Sequence, residues 1–196
     1  MIKKIITGLL LMVSLSLTLH AQDYTRPELS FKIYPGTITT LDGKLLNGYI
    51  LNGNNIDNQK ECIYYSDYRD ERTRKRYKPT ELKGFSVENQ QYKSMSYSGT
   101  LKFGKAEQHF VYLSKPGAIS TYIYYSPNAQ MLWAKGDEEP VNPSSLALSF
   151  RKSILKLIND DAELAKKVDG KEKGYGILNM ESIINEYNTH VELKKQ

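Results

Sequence analysis

Residues 38–51 read ITTLDGKLLNGYIL, and this stretch decides the fold class of the chain. Two apolar runs flank Asp42-Gly43, and an Asp-Gly pair between such runs is the strongest short-range signal for a β-hairpin. The stretch predicts antiparallel strands over 38–41 and 45–51, with both turn residues at positive φ. The polar run at 52–55 is predicted to end the second strand in a turn.

Further strand-like runs follow at short spacing as far as residue 135. They are bounded by Asp, Asn, Gly or Pro, as is typical of antiparallel strands. The predicted strands are 62–66, 74–78, 82–85, 92–97, 100–103, 109–114, 119–125 and 131–135. The turn at 115–118, with Pro second and Gly third, predicts type II. The pattern leaves a sandwich, a barrel and a meander open.

The sequence changes character after residue 135, where 136–143 form a polar segment with two prolines that predicts a linker. Apolar residues then recur at helical spacing, and the acidic pair 160–161 is typical of a helix N-cap. The chain is therefore predicted to be α+β: an antiparallel β-rich domain over 22–135, then a helical hairpin or three-helix segment over 144–196 packed on the sheet. The predicted apolar helix faces are Leu146, Phe150, Ile154, Leu157 and Ile158, and Ile183, Ile184, Tyr187 and Val191. The alternative is that these faces dock another protein.

The first 21 residues have the order of a cleaved secretory signal peptide. Lys3 and Lys4 precede an apolar run over 5–19, and Ala21 precedes the polar Gln22. A bilayer span needs about 20 predominantly apolar residues, and this run is shorter and contains Ser and Thr. We therefore expect an exported protein without a transmembrane helix after cleavage, located in the periplasm, at the outer membrane or outside the cell. A retained anchor is the alternative.

Cleavage at this site would make Gln22 the first residue of the mature protein, because a signal peptidase cuts after a small residue. Intact-mass measurement of the exported protein should show the loss of residues 1–21. A mass that still includes them would contradict the prediction.

The composition argues against several classes of function. Without Lys3 and Lys4, 25 basic residues face 22 acidic ones, a mild excess unlike that of a nucleic-acid-binding protein. One cysteine and three histidines, one of them His20, offer no metal-ligand spacing, since structural zinc needs about four such ligands. No Gly-x-Ser-x-Gly motif and no glycine-rich phosphate loop occurs. We therefore predict no catalytic residue, no metal and no cofactor.

The side chains left for chemistry are His109, His190 and Cys62. Both histidines are expected at the solvent edge. Cys62 lies in a strand-like run, which favours burial over a free reactive thiol. The pairs of adjacent carboxylates are expected to be solvated loop or helix-cap charges, since hydrolysis of a glycosidic bond needs two carboxylates across a cleft.

Two features indicate possible binding surfaces. In an extended strand, a basic run would place Arg72, Arg74, Arg76 and Lys78 on one face, where they could contact an anionic lipid, an acidic glycan or a protein. The alternative is an edge strand protected by charge from aggregation. If 109–114 and 119–125 pair, a row of aromatic rings could line one sheet surface and bind a sugar or peptide. Its members would be Phe110, Tyr112, Tyr122 and Tyr124. The alternative is ordinary sheet packing.

Several short motifs resemble a family of exported Bacteroidota-type proteins without an assigned activity. The first group is Tyr34-Pro35-Gly36-Thr37-Ile38, Asp42-Gly43 and Gly48-Tyr49-Ile50. The second group is Tyr77-Lys78-Pro79, Leu82-Lys83-Gly84-Phe85 and Glu186-Tyr187-Asn188. The resemblance implies an envelope or extracellular location, and it supplies no activity because the family has none assigned.

The sequence favours a non-enzymatic envelope protein that binds a partner or supports a surface assembly. The alternatives are a carbohydrate- or lipid-binding module that uses the tyrosine-rich face, and an enzyme whose site is assembled from scattered residues.

Overall fold

The computed structural model of the chain describes residues 32–97, 106–125 and 128–195, except for the side chains of 143–146 and 148. The strands in these ranges are β1 (Ile33–Thr40), β2 (Leu45–Leu51), β3 (Cys62–Tyr65), β4 (Arg74–Tyr77), β5 (Leu82–Val87), β6 (Gln90–Tyr97), β7 (Glu107–Lys115), β8 (Ile119–Tyr125) and β9 (Ala129–Lys135). The helices are α1 (Asn55–Lys60), α2 (Pro143–Leu157), α3 (Ala162–Asp169) and α4 (Met180–Leu193). The predicted signal peptide, the predicted strand at 100–103 and the side chain of Leu146 lie outside the described residues.

The nine strands form one antiparallel sheet in the order β4-β3-β2-β1-β5-β6-β7-β8-β9. Strands β1 to β4 run outward to one edge, and the chain then returns so that β5 pairs with β1 and β5 to β9 run to the other edge. A meander is therefore the closest of the three predicted architectures. The predicted α+β class with a β-rich domain is confirmed.

The hairpin at residues 38–51 is present, but its turn differs from the predicted one. Thr40 O accepts from Gly43 N at 2.9 Å, Thr40 N donates to Lys44 O at 3.0 Å, and within the turn only Gly43 has a positive φ (88°). This is a three-residue loop with a glycine bulge. The turn at 115–118 is not type II either, since Gly117 lacks the positive φ that type II requires.

The polar run that was predicted as a turn instead starts α1. The side-chain oxygen of Asn54 accepts from the backbone N–H groups of Ile56 and Asp57, both at 3.0 Å, which caps the helix. In α1, the buried Asn58 donates to the Tyr92 hydroxyl at 3.1 Å. These contacts fix the short helix against the sheet.

One face of the sheet, here called the core face, carries the main core around β1 to β7. Its buried side chains are Tyr34, Ile38, Ile50, Cys62, Tyr64, Leu82, Phe85, Val87, Tyr92 and Phe110. Gly48 lies under the ring of Tyr64: a Cβ on Gly48 would be 2.5 Å from Tyr64 Cε2 and 2.5 Å from Tyr65 O. Because Gly48 has no side chain, the Tyr64 ring can pack directly over the backbone of the first hairpin.

The C-terminal helices pack on the core face at the β8–β9 end of the sheet. Ile119 and Trp133 of the sheet are buried together with nine helical-segment residues: Ile154, Leu157, Ile158, Leu164, Val168, Met180, Ile183, Ile184 and Tyr187. Phe150 and Val191 are half-buried beside them. The described residues of the predicted apolar faces thus belong to the core or pack against it. The segment predicted to be a linker is bonded to the sheet. Val141 exchanges two backbone hydrogen bonds with Trp133 of β9, at 2.9 and 2.8 Å.

Three consecutive residues of α4 bind this helix to the rest of the fold. Glu186 accepts from Lys167 at 3.0 Å, and the Tyr187 hydroxyl donates to Asp160 at 2.9 Å. The Asn188 carboxamide accepts from Ile119 N at 2.8 Å and donates to Ile119 O at 2.9 Å, which copies a β-ladder contact.

Asp160 and Asp161, the two acidic residues before α3, have different functions in the fold. Asp161 rather than Asp160 caps α3, since its carboxylate accepts from Leu164 N at 3.1 Å. Asp160 instead accepts from Tyr187 and from Lys135. The expectation of a solvated charge is wrong for Asp161, which is buried, whereas Asp160 is exposed.

Candidate binding groove on the open face of the sheet

The sheet face opposite the core is open over its central strands. Directly opposite residues of antiparallel strands share a face, and the register pairs Thr37 with both Asn47 and Ser86, and Pro35 with Tyr49. None of these five side chains is buried. They face a depression of about 590 Å³ lined by Pro35, Gly36, Thr37, Asn47, Gly48, Tyr49, Ser66, Ser86 and Glu88.

A second depression of about 460 Å³ continues the first along the strands. Both are lined by Thr37 and Ser86, and the second adds Thr39, Leu45, Lys83, Gln91 and Lys93. We call the two together the groove. From Pro35 to Thr39 it runs for about 13 Å, at the usual rise of about 3.3 Å per strand residue. It can therefore hold an elongated ligand.

Hydrogen-bonding side chains line the first depression. The Thr37 hydroxyl donates to the side-chain oxygen of Asn47 at 2.9 Å, which fixes both side chains in this orientation. At the rim, the Asn52 amide donates to a carboxylate oxygen of Glu88 at 3.3 Å. Hydroxyls and an amide donate and accept hydrogen bonds and a carboxylate accepts them, so together these groups suit a hydroxyl-rich ligand.

An aromatic pair closes one end of the groove. Tyr49 is half-buried and meets Tyr68 edge to face, with ring centroids 4.6 Å apart. Beneath them, Ile33, Ile63 and Tyr65 form a small buried cluster. This packing holds the Tyr49 ring at the rim, where an apolar ligand face can stack against it.

Glu88 occupies a strained backbone position at the groove. It is the first of the two loop residues between β5 and β6 and has a φ of 52°. Such a turn prefers glycine there, since a left-handed conformation costs about 1–2 kcal/mol in a residue with a Cβ. Unfavourable backbone geometry of this kind is concentrated at functional sites. The strain therefore marks Glu88, with its carboxylate, as a candidate functional residue.

Two lysines lie at the other end of the groove. Lys93 is held by Asp137 at 2.7 Å and by Gly136 O at 2.6 Å, and this ion pair keeps the pKa of Asp137 below its usual range. Lys83 is exposed beside it. The groove thus runs from a carboxylate at one end to lysines at the other.

The predicted row of aromatic rings does not form. Tyr112 lies opposite Ile123, and Leu113 lies opposite Tyr122, so the two tyrosines of this pairing project from opposite faces. Phe110 and Tyr112 lie on the core face, where Phe110 is fully buried. Tyr122 and Tyr124 pack with Tyr97 on the other face. The prediction of one continuous surface is wrong, because the strand pairing is offset by one residue from the one it requires.

The predicted basic surface is divided and charge-compensated. Only Arg74 and Arg76 lie in β4, an edge strand, while Arg72 lies in a 3₁₀ turn. The ion pairs are Arg72–Asp70 at 2.8 Å, Arg74–Glu71 at 3.5 Å and Arg76–Glu61 at 3.1 Å. Lys78 follows the strand, and its backbone N–H donates to Glu81 at 2.7 Å. The expected single face is therefore not formed, and the local carboxylates match the edge-strand alternative.

Both histidines are half-buried, which is compatible with the expected position at the solvent edge, and each has a contact partner. His109 is half-buried against the Tyr124 ring, with centroids 5.1 Å apart, and burial lowers its pKa. His190 Nδ1 lies 2.6 Å from a carboxylate oxygen of the buried Asp161, which ties α4 to the start of α3. Cys62 is buried as expected, and burial raises the pKa of its thiol.

In the part of the chain that the structure describes, no group of three or more His, Cys, Asp or Glu side chains is arranged to hold a metal ion. Over the same residues, no helix is long and apolar enough to span a membrane.

The groove itself was missed by the sequence interpretation. The only signal for it is the alternation of Thr37 and Thr39 with the buried Ile38, which marks a polar strand face. That alternation is ordinary for a half-exposed sheet. Nothing in the sequence indicates Glu88, since glycine rather than glutamate is the residue expected in its turn conformation.

Comparisons with known proteins returned no relatives: no family model, no curated protein and no solved structure matches the chain. The function must therefore be inferred from the groove itself.

Proposed function

We propose that the chain is an exported, non-catalytic binding protein of the cell envelope that holds an oligosaccharide in the groove. The observation that carries this proposal is the strained Glu88 beside hydrogen-bonding side chains on an otherwise open sheet face. An oligosaccharide offers many hydroxyl groups along an extended chain and apolar ring faces. The Thr37, Asn47 and Ser86 side chains suit the hydroxyls, and Tyr49 suits a ring face.

Binding is favoured over hydrolysis by the groups that line the first depression. Glycoside hydrolysis by the common mechanism needs two carboxylates on opposite sides of the scissile bond. Of the described residues that line this depression, Glu88 alone carries a carboxylate. A single carboxylate can orient a sugar by accepting from its hydroxyls.

Replacement of Glu88 by glycine should weaken binding and stabilise the fold together. Glycine relieves the left-handed strain, so the free energy of unfolding should rise by about 1 kcal/mol. Loss of the carboxylate should weaken binding by at least about tenfold, since hydrogen bonds to charged groups contribute about 1.5–3 kcal/mol. Urea unfolding measures the first effect. An array of neutral and amino-sugar oligosaccharides, with titration calorimetry of those that bind, measures the second.

Two variants separate these effects. Lys171 also has a positive φ, 57°, but lies after α3 away from the groove, so Lys171→Gly should stabilise without changing binding. Glu88→Gln should weaken binding without the gain in stability. Glycan binding that is unchanged in Glu88→Gly, or no binding of any arrayed oligosaccharide by the wild type, would contradict the proposed function.

A further inference from the structure

Three leucines are exposed at the tip of the first hairpin. Leu41 lies in the loop and is 58% exposed, while Leu45 and Leu46 start β2 and are 68% and 39% exposed. Exposed apolar side chains are ordinary when scattered singly, whereas several of them close together indicate an interaction surface. The tip carries three, within six residues of one hairpin.

Two of these leucines project from opposite faces of the sheet, and this limits the kind of partner that can bury both. Leu46 lies opposite the buried Ile38 and so belongs to the core face, whereas Leu45 lies opposite Thr39 and belongs to the open face. A flat protein surface could cover only one of these two sides. A medium that surrounds the tip, such as the boundary between lipid headgroups and acyl chains, covers both.

Basic side chains flank the leucines. Lys44 is in the loop, and Lys83 of β5 reaches the tip, with its nitrogen 3.7 Å from where a Cβ on Gly43 would be. The one carboxylate of the loop, Asp42, accepts from the Thr40 hydroxyl, a bond that lowers its pKa, and Lys83 lowers it further. Two lysines against one aspartate leave the tip positive, which suits anionic headgroups.

We propose that this hairpin tip inserts into the surface of an anionic lipid membrane. Leu41, Leu45 and Leu46 enter the acyl boundary, and Lys44 and Lys83 contact lipid phosphates at headgroup depth. The inference uses the loop end of the hairpin, where Leu45 and Lys83 also line the second depression of the groove.

The test is sedimentation of the protein with lipid vesicles. Protein isolated from exporting cells is used, and every variant has the same N-terminus as the wild type, because residues 1–21 are themselves apolar. Wild type is expected to sediment with vesicles of equimolar phosphatidylglycerol and phosphatidylcholine. The double variant Leu41→Ser/Leu45→Ser should bind at least about tenfold more weakly, given the apolar area withdrawn from lipid.

Matched variants make the result specific. Leu178→Ser removes a more exposed leucine, 96% exposed, from the C-terminal segment and should bind like wild type. Lys44→Gln/Lys83→Gln should lose the preference for phosphatidylglycerol over pure phosphatidylcholine. The proposal is overturned if wild type binds neither vesicle, if the double leucine variant binds like wild type, or if sedimentation velocity shows that the leucines instead join two copies of this chain.

Discussion

Replacement of Gly48 by alanine is expected to lower the free energy of unfolding by about 3 kcal/mol. A Cβ at this position would lie 2.5 Å from the Tyr64 ring and 2.5 Å from the backbone oxygen of Tyr65. The ring is buried and its hydroxyl donates to Asn47 O at 2.8 Å, so it has little freedom to move away. Since the second contact is to backbone, strands β2 and β3 would have to separate. Urea unfolding followed by circular dichroism measures the loss.

Gly176→Ala is the matched control for this substitution. No atom lies within 4 Å of a Cβ built on Gly176, and its φ of −97° is open to any residue. Its unfolding midpoint should stay within the range of a neutral surface change, about 0.5 kcal/mol. If Gly48→Ala unfolds at the same midpoint as this control, the Tyr64 ring does not lie over the first hairpin as described.

Ile154→Ala is expected to lower the free energy of unfolding by about 3–4 kcal/mol, from lost burial and the cavity left behind. Ile154 is fully buried among helix residues and the sheet residues Ile119 and Trp133. Trp133 is the single tryptophan of the chain, so its fluorescence reports on this interface. The variant should show one transition, at a lower urea concentration, by both fluorescence and circular dichroism. Phe150 is a weaker probe because it is only half-buried.

Leu178→Ala, at a site that is 96% exposed, is the control and should leave the transition unchanged. Two outcomes would contradict the shared core. One is an Ile154→Ala midpoint equal to that of wild type. The other is a fluorescence transition that precedes the loss of sheet signal, since the helices would then unfold on their own.

The strands were predictable because local patterns specify them. The alternation around Ile38 and Ile50, and the Asp42-Gly43 turn between them, predict the first hairpin without reference to the rest of the chain. The helix α1 was not predictable, since its stability depends on Asn58 reaching Tyr92 in a strand that is distant in sequence. A six-residue polar helix has no apolar periodicity of its own.

The binding surfaces were harder to predict because they depend on strand register. A one-residue change in pairing moves a side chain to the other face, and this change separates Tyr112 from Tyr122. The groove depends on β5 pairing with β1, which brings Ser86 beside Thr37. That pairing follows the return of the chain from β4, and nothing local to Thr37 or Ser86 specifies it.

The carboxamide of Asn188 has a consequence for the order in which the chain becomes structured. Its two bonds to Ile119 join residues 69 positions apart. A ribosome or a translocon delivers residues from the N-terminus onward, so β8 emerges well before the residue that docks on its first position. The β8–β9 end of the sheet therefore reaches its final packing only once α4 has been delivered, and a chain halted before α4 would leave Ile119 without its two bonds to Asn188.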